Sequence, residues 1–306
     1  MRGLRSWAIA GLALAALAGG ASSASAAGSY DNCVGYIDAV PIVISTPGTW
    51  CLRHDVVTNA TGIRAIDIET NNLTIDCNGL SLSNLPAGAG TRSTGVFAWG
   101  YSNIAVRNCT IQGFRFGIWV TGASPGAGRP PGTGHVIENN RLAQNRYSGI
   151  EVVGFGSVIR GNIVVNTGGQ PQGIQGWAIR ALGGVDIIDN VVDGIVDDGV
   201  VTAFQSTGIL SSDFAGSNPD IKSNGMLIQG NRVRNLLQKG GSVPVGIEVH
   251  GTGIWVRDNL IAQATPTPGA GLGCFSGDAR VRDNVVKNYF QGLYGTCTDD
   301  GGNVSY

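Results

Sequence analysis

The chain has 306 residues, 49 of them glycine, with only 13% charged residues and a formal net charge of −1. An apolar content of 42% excludes a disordered chain. The near-neutral balance, with Lys222, Lys239 and Lys287 as the only lysines, lacks the basic face of a nucleic-acid binder, and the glycines follow no collagen period.

At the N-terminus, Arg2 and Arg5 precede an apolar run from Trp7 to Leu17 that is too short to span a bilayer. Ala24-Ser25-Ala26 then supplies a small-residue cleavage site. Residues 1–26 therefore read as a secretory signal peptide, and the mature chain as secreted or periplasmic with no membrane span. An exported chain with six cysteines favours disulfides. Their positions suggest Cys33–Cys51, Cys77–Cys109 and Cys274–Cys297 among the 15 pairings that six cysteines allow. Without a CxxC and with only His54, His135 and His250, no metal site is expected from Cys and His.

From residue 71 a six-residue pattern recurs: apolar, polar, small or polar, Asn, any, apolar. It runs from Ile75-Asp76-Cys77-Asn78-Gly79-Leu80 to Val281-Arg282-Asp283-Asn284-Val285-Val286 in eight copies. The fourth positions are 31, 31, 22, 28, 41, 28 and 25 residues apart, and Asn fills seven of them, Cys109 the other. A second phrase, Gly-apolar-x-apolar, falls between copies, as in Gly117-Ile118-Trp119-Val120 and Gly149-Ile150-Glu151-Val152. Period-2 alternation makes these short strands. One unit cannot bury its apolar face alone, whereas stacked units can. The minimum spacing of 22 is one coil of a β-solenoid, and longer spacings carry loop insertions.

Stacking places like residues in columns about 4.8 Å apart. The recurring Asn reads as a hydrogen-bonded ladder inside a turn, with no catalytic role. Second positions Asp76, Arg107, Glu138 and Arg160 read as stacked ion pairs on a solvated face. The outward column of the glycine phrase reads Phe97, Trp119, Glu151, Ala178, Val201, Glu248, Gly273 and Tyr294, with Trp99, Thr121, Arg180 and His250 two positions further on.

These motifs resemble the right-handed parallel β-helix proteins of the pectin-lyase-like superfamily, and within it the parallel β-helix repeat, NosD-like group. The phrase Asn72-Leu73-Thr74-Ile75-Asp76-Cys77-Asn78-Gly79 looks like the family's first full coil, and Pro47-Gly48-Thr49-Trp50-Cys51-Leu52 like its lead-in. The resemblance implies an all-β, single-stranded right-handed parallel β-helix of about eight coils. Residues 27–70 would form the N-terminal cap and lead-in, and 71–306 the helix, closing with a C-terminal cap over 289–306.

The outward face, with Trp, Glu, Arg and His, reads as a groove for a polysaccharide or cell-envelope glycan. Trp119 would stack on a sugar, Arg180 would hold an anionic group, and Glu248 and His250 would extend the groove. Candidate catalytic groups are Glu151, Arg180, Asp197 and Asp198. Asp197-Asp198-Gly199-Val200 resembles the paired-acid element of the superfamily's inverting glycosidases, but the coil before it, at Gly173-Ile174-Gln175-Gly176-Trp177, lacks the companion acid. A uronate lyase or epimerase would use Arg180 or Lys222 as base and Asp197 and Asp198 as Ca²⁺ ligands. A non-catalytic glycan-binding or envelope structural protein needs neither. Sequence favours lyase or epimerase over hydrolase and leaves catalysis itself open.

Overall fold

A computed structural model describes residues 32–122, 132–170, 175–196, 205–212, 222–237 and 243–306. The strands stack in parallel into a right-handed β-helix with three faces. The first face is a sheet of eleven strands among the described residues, from Cys33–Ile37 to Thr298–Asp299. The other two faces belong to a continuous second sheet, in which strands such as Thr110–Gln112 and Phe116–Thr121 follow each other within one coil.

The register is set by the interior. Ile75, Val106, Ile137, Ile159, Ile187, Ile228, Val256 and Val281 form one column on the first face, every member fully buried. Val96, Ile118, Ile150, Ile179, Ile209, Ile247 and Leu272 do the same on the third. β-Branched residues suit a pleated surface packed on both sides. A slip of one residue would turn every one of these columns to solvent.

The stack extends beyond the eight repeats. Strand Gly48–Leu52 pairs in parallel with Cys33–Ile37 on one side and with Leu73–Asp76 on the other, so the first sheet already runs through the lead-in. At the other end Thr298–Asp299 and Val304–Ser305 add strands to both sheets.

The turn between the first two faces holds the asparagine ladder. Asn140, Asn162, Asn190, Asn231 and Asn259 each donate a side-chain amide to the next rung's Oδ1 at 2.9–3.0 Å, and Asn284 does so to Asn303 at 2.9 Å. The same Oδ1 atoms accept the neighbouring backbone N–H, and each Nδ2 also donates to a main-chain carbonyl. The residue before each ladder member has φ near +55°, at Asn139, Asp189, Asp258 and Asp283, or is glycine, at Gly161 and Gly230. Only Gly, Asn and Asp adopt that conformation readily, which explains the "small or polar" third position.

Asn78 does not join the ladder. Asp76 pairs with Arg107 and Ser81 with Thr110, so the first turn spans five steps where the next spans three. The ladder ends at Cys109, whose N–H donates to Asn140 Oδ1 at 3.0 Å and whose sulfur is bonded to Cys77. Cys33–Cys51 and Cys274–Cys297 close the other two bridges. Three disulfides fit folding in an oxidising compartment. No helix of the described residues is long and apolar enough to cross a membrane.

Candidate functional site on the third face

Glycine fixes the close stacking of the third face. A Cβ at Gly117 would lie 2.6 Å from the carbonyl oxygen of Gly149, and one at Gly149 only 2.5 Å from Val164 Cγ1. Ala178 occupies this position in the next coil, because Ile150 pairs with Ile179. The outward column therefore reads Asp67, Phe97, Trp119, Glu151, Arg180, Leu210, Glu248, Gly273 and Tyr294. This corrects two positions of the sequence reading. Arg180 replaces Ala178, and Leu210 of strand Gln205–Ser211 stands where Val201 was expected, Val201 itself lying outside the described residues.

The correction brings Glu151 and Arg180 together. They sit on adjacent rungs, with Arg180 Nη1 3.4 Å from Glu151 Oε2 and both side chains largely covered. Burial pushes the Glu151 carboxyl above its ordinary range. Arg180, the indole of Trp119 and the charge of Arg115 pull against that without cancelling it. Burial, reinforced by the Glu151 charge, also raises the Tyr147 phenol.

Aromatic rings frame the pair. Trp119 stacks on Phe116 with centroids 4.6 Å apart, and Phe97 meets it edge-on at 5.2 Å. Tyr147 lies edge-on to Phe116 at 5.2 Å and to Trp177 at 4.9 Å. Arg180 covers Trp177, and Arg115 lies over both Phe116 and Tyr147. Two donors here, Trp119 Nε1 and Arg115 Nε, are buried without a hydrogen-bond partner of good geometry. Trp119 is thus a half-buried member of a ring cluster, not a free-standing platform.

Phe116, Tyr147, Trp177 and Arg115 escaped the sequence reading. Phe116 and Trp177 share a register through Ser148, and Arg115 and Tyr147 immediately precede that position. The legible signal was an aromatic one or two residues before Gly117, Gly149 and Ala178.

Glu248 and His250 lie further along the same face. Glu248 is three rungs from Glu151, about 14 Å at ordinary strand spacing, too far for the two carboxylates to act as a glycosidase pair. Glu248 instead binds His250, Oε1 to Nε2 at 2.9 Å, and accepts the Thr207 hydroxyl at 3.1 Å. Asp197 and Asp198 lie outside the described residues. Lys222 is exposed at the edge of a described segment. Among the described residues, no three His, Cys, Asp or Glu side chains come together as a metal site.

The family model for the right-handed beta helix region matches residues 42–192. The chain has the right-handed β-helix fold. Among solved structures it is similar to the Dettilon tailspike protein, at 15% identity and a TM-score of 0.54, over 88% of this chain and 59% of that one. It is also similar to a tailspike variant of E. coli bacteriophage HK620 in complex with pentasaccharide, at 10% identity and a TM-score of 0.50, over 89% of this chain and 58% of that one. The A-module of a mannuronan C-5 epimerase from Azotobacter vinelandii aligns at 11% identity and a TM-score of 0.48, over 90% of this chain and 91% of that one. This chain spans a little under three fifths of the tailspikes' length. No curated protein matches the sequence.

Proposed function

We propose that this is an exported β-helix protein that binds an acidic polysaccharide, of the uronate-containing kind, along its third face. One observation carries the reading: the covered Glu151–Arg180 pair, set among Trp119, Tyr147 and Trp177, with the Trp119 indole turned to the carboxyl and Arg115 Nε buried beside it without a partner. Buried polar groups are nearly always hydrogen-bonded, so a buried donor without a partner calls for an explanation, and an anionic ligand supplies one. Two guanidinium groups favour an anionic ligand. A carboxyl held up by burial beside a cation is a marker of a functional site. The column from Phe97 to Tyr294 spans seven rungs, about 34 Å, long enough for several sugar units. The HK620 tailspike structure, bound to a pentasaccharide, lends the reading a precedent on this fold. The predicted signal peptide and the three disulfides support export.

The test is titration calorimetry of the purified protein against acidic and neutral polysaccharides. Acidic chains should bind, and Trp119→Ala and Arg115→Ala should each weaken binding at least about tenfold, or about 1.4 kcal/mol, with the β-rich circular dichroism retained. Unchanged affinity in both variants would remove this site. Depolymerised or unsaturated products in the same mixtures would add catalysis at Glu151 and Arg180.

A further inference from the structure

The same face carries a second chemical constellation that the polysaccharide reading does not use. We infer that Ser276, His250 and Glu248 form a nucleophile–base–orienter triad for cleaving carboxylic esters, with O-acyl groups on a glycan as substrate. The substrate assignment rests on the proposed polysaccharide face, but the triad does not.

The chain of contacts is continuous. Thr207 Oγ1 donates to Glu248 Oε2 at 3.1 Å. Glu248 Oε1 meets His250 Nε2 at 2.9 Å. His250 Nδ1 faces Ser276 Oγ at 3.5 Å. With the ring proton on Nε2, held by the carboxylate, Nδ1 presents its lone pair to the serine hydroxyl. Phe275 stacks on the imidazole, centroids 5.4 Å apart and planes 17° from parallel, and so fixes the ring plane. Nucleophile–base contacts of this kind are commonly loose before substrate arrives.

A backbone irregularity builds the arrangement. Glu248 pairs with Gly273 and Val249 with Cys274, but His250 then pairs with Ser276. Phe275 is the extra residue of a β-bulge. Without it, His250 would stand opposite Phe275. Bulges re-aim side chains and are frequent beside active sites. Here the bulge turns a serine toward a histidine already anchored by a carboxylate. Ser276 is solvent-exposed, as a nucleophile must be, and exposed Phe275 and Tyr294 offer an apolar wall beside it.

The chemistry closes without a cofactor. Ser276 Oγ attacks the acyl carbon while its proton passes to His250 Nδ1. The bond between the acyl carbon and the sugar oxygen breaks, and that oxygen leaves with the proton from His250. Water then adds to the acyl-serine ester, giving its proton to His250. The carboxylic acid departs as the proton returns to Ser276 Oγ.

The test uses the purified protein with a fluorophosphonate probe and p-nitrophenyl acetate. One adduct should form, mapped by peptide mass to Ser276. Ser276→Ala should abolish it and lower hydrolysis about 100-fold or more, and His250→Gln should lower both labelling and hydrolysis similarly. Glu248→Gln should keep the adduct at Ser276 but form it more slowly. No adduct, an adduct elsewhere, or hydrolysis indifferent to Ser276→Ala would overturn the triad. Turnover of the aryl ester without acetate release from an O-acetylated acidic polysaccharide would leave the triad standing and overturn the substrate assignment.

Discussion

Arg180 stands one rung from Glu151 in the same outward column, with Nη1 3.4 Å from Oε2, yet the carboxyl still sits above its ordinary pKa of 4.5. Burial therefore outweighs the cation, and the fold favours the protonated acid. A folded-state pKa above the unfolded one gives stability that is fully present below about 4.5 and lost as pH rises through the folded value. Glu151→Gln, which mimics the neutral acid, should match the wild type near pH 4 and exceed it at pH 7. Urea unfolding at the two pH values measures this, and parallel curves would contradict it. Arg180→Ala should do the reverse, costing about 3 kcal/mol at pH 7 because it leaves a covered carboxylate unpaired.

The ladder offers a sharper stability test. Asn190 donates to Asn231 Oδ1 and to the carbonyls of Ile159 and Ile188, and its own Oδ1 accepts from Asn162. Asn190→Ala strands the Asn162 backbone N–H and takes the side-chain donor from the Ile159 carbonyl in a dry interior, at about 1–3 kcal/mol for each unsatisfied group. A total loss of about 3–5 kcal/mol in thermal or urea unfolding is expected. Asn78 looks the same in sequence but sits in the longer turn, at φ +52°, with its Nδ2 unpartnered. Asn78→Gly should change stability by less than about 0.5 kcal/mol. Equal losses at both positions would refute the ladder as the stabilising element.

That contrast shows why the fold was legible in sequence and the site less so. The apolar columns repeat because every coil must bury the same face, so eight copies sufficed to define the solenoid. The rung at Cys33–Leu52 lacks the Asn phrase, and the one at Thr298–Ser305 keeps Asn303 without the apolar residues on either side of the phrase, which hid both coils. On the third face, glycine marked the register until Ala178 took its place. Reading by glycine then displaced Arg180 from the Glu151 column. Ser276 was invisible because the bulge at Phe275 breaks the alternation on which sequence patterns depend. Partner contacts across rungs depend on loop lengths, and those vary from coil to coil.

The Cys77–Cys109 bridge joins residues 32 apart and terminates the ladder. Loop closure over that length is worth about 3–4 kcal/mol. The Cys77→Ala/Cys109→Ala double variant should lose that amount. It should also speed hydrogen exchange of the Cys109 and Asn140 amides more than that of Asn284, because the ladder would fray from its open end. Uniform acceleration along the ladder would argue that the bridge constrains only the unfolded chain.

His135 makes the fold sensitive to acid. Its N–H donates to Ser157 Oγ at 3.0 Å, its Nδ1 accepts the Ile104 N–H at 3.4 Å, and Nε2 is buried without a partner. The ring is wedged where even a Cβ on Gly132 or Gly154 would come within 3 Å. Burial lowers its pKa from 6.5 to about 4. The unfolded chain therefore takes up a proton between those values while the folded chain does not. Stability is full above about 6.5 and falls as pH drops toward 4, by up to about 3 kcal/mol. This slope is opposite in sign to that from Glu151, so the two variants separate them. His135→Gln should lower stability at pH 7 but flatten the decline between pH 6.5 and 4, measured by urea unfolding across that range. An unchanged slope would mean that other groups carry the acid sensitivity.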